Sequence, residues 1–131
     1  MARLSTVTPG GRPHIVPVTF AVDEDYIYTA VDAKPKIQPA ARGLQRLRNI
    51  EAHPQVAVLT DHYADDWTSL WWVRADGEAT ILTEPRLAAA PIALLAARYP
   101  QYRGAIRTPV TGPVIAIRVE RWTGWAAATP G

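Results

Sequence analysis

The sequence predicts a mainly β protein, a small antiparallel barrel with helices at its ends. Five or six short segments alternate apolar and polar residues or concentrate β-branched and aromatic ones, and turn signals such as Pro9-Gly10-Gly11 separate them. Only two segments have the composition and length of helices, one after Pro39 and one after Glu84. A doubly wound α/β fold is disfavoured because no glycine-rich phosphate loop follows a strand.

Composition limits the class of protein. At 131 residues the chain is expected to form one domain, residues 1–131, with a core that needs no metal or disulfide. The absence of cysteine excludes disulfides and thiolate metal sites. No apolar run approaches the roughly 18 residues of a membrane span, so we expect a cytoplasmic protein without a membrane partner. The net charge of +2 does not favour a nucleic-acid partner. The abrupt start of the first predicted strand suggests a missing N-terminal extension.

The first hairpin comprises strands at residues 4–7 and 12–22, joined by a turn at 8–11. Pro17 lies in the middle of the second strand, where it cannot donate to a ladder. The strand is therefore predicted to lie at an edge, to bulge, or to face something other than a strand. A planar ligand and a plain edge strand explain Pro17 equally well.

The third strand, residues 26–31 after the acidic turn at 23–25, leads into a concentration of positive charge. Five cations and no acid lie between Ala33 and Ile50, so the rest of the chain sums to −3 (+2 minus +5). These cations are Lys34, Lys36, Arg42, Arg46 and Arg48. A strand that ends in a cationic loop is a common way to hold an anionic ligand. A solvated basic face is an equally weighted interpretation.

A helix is predicted after Pro39 and ends before His53-Pro54, because the residue before proline avoids the α region. Its predicted buried stripe consists of Ala41, Leu44, Leu47 and Ile50. Another face should carry Arg42, Arg46 and Asn49. The planar guanidinium group suits a phosphate or carboxylate, so this helix can pack on a sheet and still present charge to an anion.

The fourth strand, residues 55–61, leads into a polar loop at 62–67. Four side chains here are predicted to be solvated or to cap a helix, rather than to bind a metal: Asp61, His62, Asp65 and Asp66. Residues 69–83 are predicted to form one bent strand or two strands around Asp76-Gly77. Trp71 and Trp72 should point to opposite faces, so one of them should bury against a helix, a ligand or a second subunit.

The second helix is predicted over residues 84–99, with Pro85 near its start and Pro91 as a kink or a boundary. Residues 99–113 are irregular, and residues 114–128 form the closing strand. The three histidines, His14, His53 and His62, have no ligand-like spacing, and structural roles are predicted for them.

Several segments together resemble the pyridoxamine-phosphate-oxidase-like split β-barrel superfamily, over residues 4–121. More closely, the sequence resembles the actinobacterial branch of coenzyme F420-dependent oxidoreductases. The segments that carry the resemblance are GRPHIVPVTF at 11–20, DAKPK at 32–36, LQRLRNI at 44–50 with HP at 53–54, DHY at 61–63, Trp67 and LWWVR at 70–74. The first is shared with flavin-binding proteins, whereas KPK, RLRNI and LWWVR are more specific to the deazaflavin group.

The resemblance implies a six-stranded antiparallel split barrel of the FMN-binding type that forms a homodimer, with cofactor sites at the subunit interface. It implies that the cofactor ring lies against Val16, Pro17, Val18, Thr19 and Phe20. The implied anion contacts are Lys34 and Lys36, with Arg46, Arg48 and Asn49 as secondary contacts. One of Trp71 and Trp72, with Arg74, is implied to complete the site across the interface, and we assign Trp71 to it; packing in the dimer core is an equally weighted role for these residues.

The implied function is hydride transfer between coenzyme F420 and a small organic acceptor, without a metal. The cofactor carries the reactive atom, so no catalytic residue is assigned. His14 or Tyr63 as a proton donor is less favoured than a structural role for each. Two alternatives are an FMN-binding flavoprotein and a non-catalytic F420 carrier. The oligoglutamate tail of F420 favours that cofactor over FMN, because it accounts for cations beyond those a phosphate needs.

Overall fold

The computed structural model describes residues 1–31, 39–99 and 113–127, with residues 39–44 as backbone only. One antiparallel sheet contains the seven strands of this part of the chain. They are β1 (Ala2–Val7), β2 (Pro13–Val18), β3 (Ala21–Asp23), β4 (Tyr26–Ala30), β5 (Gln55–His62), β6 (Trp71–Leu82) and β7 (Val114–Ala126). Two helices, α1 (Pro39–Ala52) and α2 (Pro85–Arg98), flank the sheet. Neither helix is long and apolar enough to span a membrane.

The strand order shows why the sheet curls into a barrel. The order is β2-β1-β5-β6-β7-β4-β3, so β2 and β3 lie at opposite edges. Only Thr19 and Phe20 separate these two strands in the chain. Since the three residue steps from Val18 to Ala21 span roughly 11 Å at most, the end of β2 and the start of β3 must come close together. The predicted mainly antiparallel β fold with two helices is therefore confirmed.

The strand count differs from the prediction, with seven strands instead of six. The segment 12–22, predicted as one strand, is two strands that pair with different partners. β2 pairs with β1, whereas β3 pairs with β4. The chain leaves one edge of the sheet at Val18 and joins the other at Ala21. Barrel closure, rather than a turn residue, divides this segment.

Alternation along the strands separates a packed interior from an outer face. Leu4, Ile115 and Ile117 are fully buried and form the interior core with other aliphatic side chains of the sheet. A second, smaller cluster lies where α2 packs against β3 and β4. It consists of Ala21, Ala30 and Leu95, with Ile92 and Tyr99 packed against them. Pro91 lies buried inside α2 and is not a boundary, because the helix continues to Arg98.

β6 is one long strand rather than two, as the first of the two alternatives predicted. It pairs with β5 on one side and with β7 on the other, and its register with β7 shifts between Asp76 and Gly77. A Cβ at Gly77 would lie against the carbonyl oxygen of Arg118 and 3.0 Å from its carbonyl carbon. Glycine is therefore required here by the close approach of two backbones.

A buried polar contact attaches α1 to the sheet. The Asn49 side chain is fully buried, and its Nδ2 donates a 2.9 Å hydrogen bond to Oγ1 of the buried Thr6. Its Oδ1 accepts a 2.7 Å bond from Nε2 of Gln45. Arg48 Nη2 donates to Oε1 of Gln45 at 2.9 Å, so the chain of bonds runs from an exposed guanidinium to the interior. Ile50, next along the helix, joins the apolar core.

Substituting Gly77 with alanine should lower the free energy of unfolding by about 1–3 kcal/mol, because the added methyl group forces β6 and β7 apart. Urea denaturation measures this change. Gly10→Ala is the matched control, since a Cβ at Gly10 meets nothing within 4 Å. Equal stabilities of the two variants would contradict the close-approach explanation.

Substituting Asn49 with alanine should lower the free energy of unfolding by about 1–3 kcal/mol, since the buried Thr6 hydroxyl loses its donor and the space is not refilled. The control is Glu51→Ala, which changes an exposed residue of the same helix. Thermal and urea denaturation of both variants give the comparison. If N49A were as stable as E51A, the polar contact would not be what attaches α1.

Candidate functional site

The predicted ring-binding segment lies on the edge strand β2 and in the link that follows it. Val18 is buried in the core and Val16 packs against it, whereas Pro17 is exposed on the opposite face. Among the described strands, β2 pairs only with β1, which is the edge position, the first of the three alternatives predicted from Pro17. The segment thus presents an open backbone edge and one exposed side.

Thr19 and Phe20 form the link between β2 and β3. The N–H of Phe20 donates to the Tyr99 hydroxyl at 3.2 Å, and its carbonyl accepts from Arg98 Nη1 at 2.9 Å. The guanidinium carbon of Arg98 lies 4.2 Å from the centre of the Phe20 ring. The end of α2 therefore holds this link, a contact that sequence reasoning missed. No periodic signal connects residues that are 78 positions apart.

The predicted anion contacts lie only partly within the described residues. Lys34 and Lys36 fall outside them, as does the side chain of Arg42. Arg46 is half-buried on α1, and Arg48 is exposed. α1 thus carries guanidinium groups in the part of the chain that directly follows the two lysines in sequence.

Asn49 occupies a different position from the one predicted. It was expected on a polar face with Arg46, yet its side chain is buried against β1. Its Nδ2 donates a hydrogen bond to Thr6, and its Oδ1 accepts one from Gln45. The prediction of an exposed face for Asn49 was wrong because a buried threonine supplies a polar partner that the helical pattern cannot reveal.

A cavity of about 540 Å³ lies on the outer face of the sheet. Strands β1, β2, β5 and β6 supply its walls, with Arg3, Ser5, Ile15, Ala57, Leu59, Asp61, Tyr63, Trp72 and Arg74. Its two cations are ion-paired, Arg3 with Asp61 at 3.2 Å and Arg74 with Asp76 at 3.0 Å. The remaining lining is mostly apolar. An aromatic or aliphatic surface that carries oriented guanidinium groups suits a planar, anionic molecule or a complementary protein surface.

The adjacent tryptophans separate as predicted, and the structure shows which one accompanies Arg74. Trp72 and Arg74 line the cavity, whereas Trp71 points to the opposite face and is 40% exposed. The signal for this was available in the sequence. Ala75 is a small apolar residue of the core face, and Val73 and Trp71, two and four positions before it, share that face. Trp72 and Arg74 therefore face outward.

The predicted residues therefore divide between two faces of the sheet. α1 packs on the face that carries Leu4 and Thr6, as the Asn49 contact and the position of Ile50 show. Arg74 lies with Arg3 on the other face. Pro17 belongs to that outer face too, because it stands opposite Arg3 in the β1–β2 register. One chain does not bring the α1 arginines and Arg74 together.

The polar loop at residues 61–66 makes protein contacts. Asp66 caps the short 3₁₀ turn Trp67–Ser69, accepting bonds from the Thr68 amide at 3.1 Å and the Thr68 hydroxyl at 2.6 Å. These two bonds hold the pKa of Asp66 below its usual value. Asp61 pairs with Arg3. Within the described ranges, no three His, Asp or Glu side chains are grouped to hold a metal ion.

Neither potential proton donor is built into a catalytic arrangement in the described residues. Nδ1 of His14 is buried and makes no hydrogen bond to the described residues. Tyr63 is 63% exposed and stands at the rim of the outer cavity. The described residues thus offer a binding surface with oriented cations, and the geometry assigns no acid or base.

Comparison with known proteins identifies the fold. An F420 reductase is 23% identical, with a TM-score of 0.63 over 93% of this chain and 87% of that one. An FAD-binding protein from Mesorhizobium loti is 20% identical, with a TM-score of 0.65 over 94% and 83% of the two chains. The heme storage protein HutZ from Vibrio cholerae is 18% identical, with a TM-score of 0.70 over 95% and 84%. At such identities the likeness extends to the fold alone. No curated protein matches the sequence.

The family assignment comes from the sequence itself. A family model described as pyridoxamine 5'-phosphate oxidase matches residues 1–126, nearly the whole chain. The match includes the edge strand, the cationic segment and the strand that bears Arg74. It agrees with the antiparallel sheet and the two helices described above. The protein therefore belongs to the pyridoxamine 5'-phosphate oxidase family, with the split-barrel fold.

Proposed function

We propose that this protein is a coenzyme F420-dependent oxidoreductase that transfers a hydride between the deazaflavin and a small organic acceptor. The observation that carries the proposal is the cationic segment, which holds five positive charges and no acid between Ala33 and Ile50. The family's fold accommodates more than one cofactor type, since an F420 reductase, an FAD-binding protein and a heme storage protein share it. Charge, rather than fold, therefore supports the choice of cofactor.

The number of cations favours F420 over FMN. Both cofactors carry a phosphate, for which Lys34 and Lys36 supply two charges in the segment that follows β4 in the sequence. F420 adds an oligoglutamate tail, and Arg46 and Arg48 on the adjacent helix supply charge for its carboxylates. In an FMN protein these further cations would have no anionic partner on the ligand. FMN remains the second candidate because a flavin-binding protein is among the structural relatives.

The residues present fit a planar cofactor at the edge strand. Among the described residues, one edge of β2 has no pairing strand, Pro17 lacks a backbone donor there, and Ile15 is 62% exposed on the same strand. An aromatic ring system can lie against such a surface without displacing a neighbouring strand. When bound, the deazaflavin supplies the hydride chemistry. The chain's own residues bind the anionic end, orient the ring along β2 and exclude water from it.

We propose that the site is completed across a homodimer interface. The α1 arginines and Arg74 lie on opposite faces of the same sheet, so they serve one ligand only if Arg74 comes from a second copy. The outer face suits such contact, because its cavity lining is mostly apolar and Trp125 and Ile15 are 46% and 62% exposed. Each copy would then contribute to two equivalent sites.

Replacing Lys34 and Lys36 together with alanine should weaken F420 binding at least about tenfold, because two charge-assisted contacts with the phosphate are lost. Quenching of tryptophan fluorescence measures the dissociation constant. Arg12→Ala with Arg86→Ala is the matched control, since it removes the same charge from exposed positions elsewhere. Unchanged affinity in the lysine variant would refute the site assignment.

A turnover assay distinguishes an F420-dependent enzyme from an F420 carrier. A protein that binds one F420 per chain yet shows no reduction or oxidation over a broad panel of acceptors is a carrier. Consumption of reduced F420 in proportion to acceptor is the result expected of an oxidoreductase.

Light scattering at micromolar concentration should give the mass of a dimer, twice the 14.4 kDa of one chain. Trp125→Glu should shift the population towards monomer, since it introduces a charge into the apolar outer face. The control is Trp67→Glu, at a 76% exposed position of the loop between β5 and β6. A monomeric wild-type protein would contradict the interface.

A further inference from the structure

The C-terminal end of α2 contacts the two-residue link between the edge strands β2 and β3. Thr19 and Phe20 lie outside both strands, so neither belongs to the ladder of β2 or β3. Both backbone polar groups of Phe20 instead bond to side chains of two consecutive residues, Arg98 and Tyr99. We call this contact the α2 clamp.

The α2 clamp combines hydrogen bonds with ring contacts. Arg98 Nη1 donates to the Phe20 carbonyl at 2.9 Å, and its guanidinium carbon lies 4.2 Å from the Phe20 ring centre and 5.3 Å from that of Tyr99. The Tyr99 hydroxyl accepts from the Phe20 N–H at 3.2 Å. A planar guanidinium that contacts two aromatic rings and donates to a carbonyl has few alternative orientations, so the carbonyl of Phe20 is held in one direction.

The clamp has a rigid support. Leu95 is fully buried, and Ala88 and Pro91 are buried on the same helix. Tyr99 packs with the small cluster formed by Leu95 and residues of β3 and β4. Through α2, the link at Phe20 is therefore connected to β3 and β4, rather than to β2, the strand that precedes it.

We propose that Arg98 and Tyr99 are positioning residues for the cofactor, which act through Phe20 without contacting the ligand. This inference rests on the proposed function, in which the ring lies along Val16 to Phe20. The clamp fixes the backbone at the end of that segment before the cofactor arrives. Preformed binding surfaces bind more tightly because the ordering free energy is not spent at the moment of binding.

Two variants test the α2 clamp. Arg98→Ala removes the carbonyl contact and the ring contact, and Tyr99→Phe removes only the hydroxyl acceptor. Each should weaken F420 binding about threefold to tenfold, measured by tryptophan quenching at a temperature where the variants are fully folded. Hydrogen exchange in peptides that contain Phe20 should accelerate in both variants without ligand, because the amide loses its held conformation.

Arg86→Ala is the matched control. It removes the same charge from an exposed position in the first turn of α2, and it should change neither the affinity nor the exchange at Phe20. A loss of thermal stability alone, with wild-type affinity in R98A and Y99F, would reduce the clamp to a structural contact and overturn the proposal.

The outcomes separate this inference from the proposed function. If the wild-type protein binds neither F420 nor FMN, the proposed function fails and the positioning role fails with it. The exchange at Phe20 would then still report whether the clamp holds the link. If the wild-type protein binds a cofactor and both variants bind it equally well, only the positioning role is overturned.

Discussion

The long antiparallel pairing of β6 with β7 is the constraint on which the rest of the structure depends. It runs from Trp71 opposite Ala126 to Leu82 opposite Val114, interrupted by the shift at Asp76 and Gly77. By alternation, β6 supplies Trp72 and Arg74 to the outer cavity and Ala75 and Ala79 to the core. One strand thus contributes to two surfaces, and the absence of a side chain at Gly77 allows the backbones to approach where the register shifts.

The alternation of side chains along this sheet also accounts for the proposed dimer. A β-strand sends neighbouring residues to opposite faces, so the sheet itself separates a helix on one face from an arginine on the other. α1 packs on the face of Thr6, and Arg74 stands on the face of Arg3. A ligand that uses both needs two chains, and the exposed aromatic and aliphatic residues of the outer face provide the surface for the second one.

Sequence patterns predicted the elements well wherever local chemistry decides them. Pro17 favoured an edge strand among its alternatives, Asp76-Gly77 marked an irregularity within the strand, and His53-Pro54 ended α1, all as observed. The predictions failed where distant contacts decide. The strand at 12–22 is divided at Phe20 by barrel closure, and Asn49 is buried because Thr6 receives its hydrogen bond. No periodic pattern in the local sequence indicates either the division of the strand or the burial of Asn49.

The same distinction applies to the candidate site. Its charge could be predicted from the sequence, because five cations without an acid are visible as a run. The support for the proposed ring-binding segment could not be predicted, because Arg98 and Phe20 meet only after α2 packs against β3 and β4. Trp72 is an intermediate case. Its position on the outer face, the face of Arg74, follows from strand alternation once Ala75 is assigned to the core.

The most direct test of the proposed function is a titration of the wild-type protein with F420 and, separately, with FMN, followed by quenching of its five tryptophans. The cationic segment predicts tighter binding of F420, by at least about tenfold, because the glutamate tail adds charge-assisted contacts that FMN lacks. Tighter binding of FMN, or binding of neither cofactor, would contradict the assignment of the cationic segment to F420.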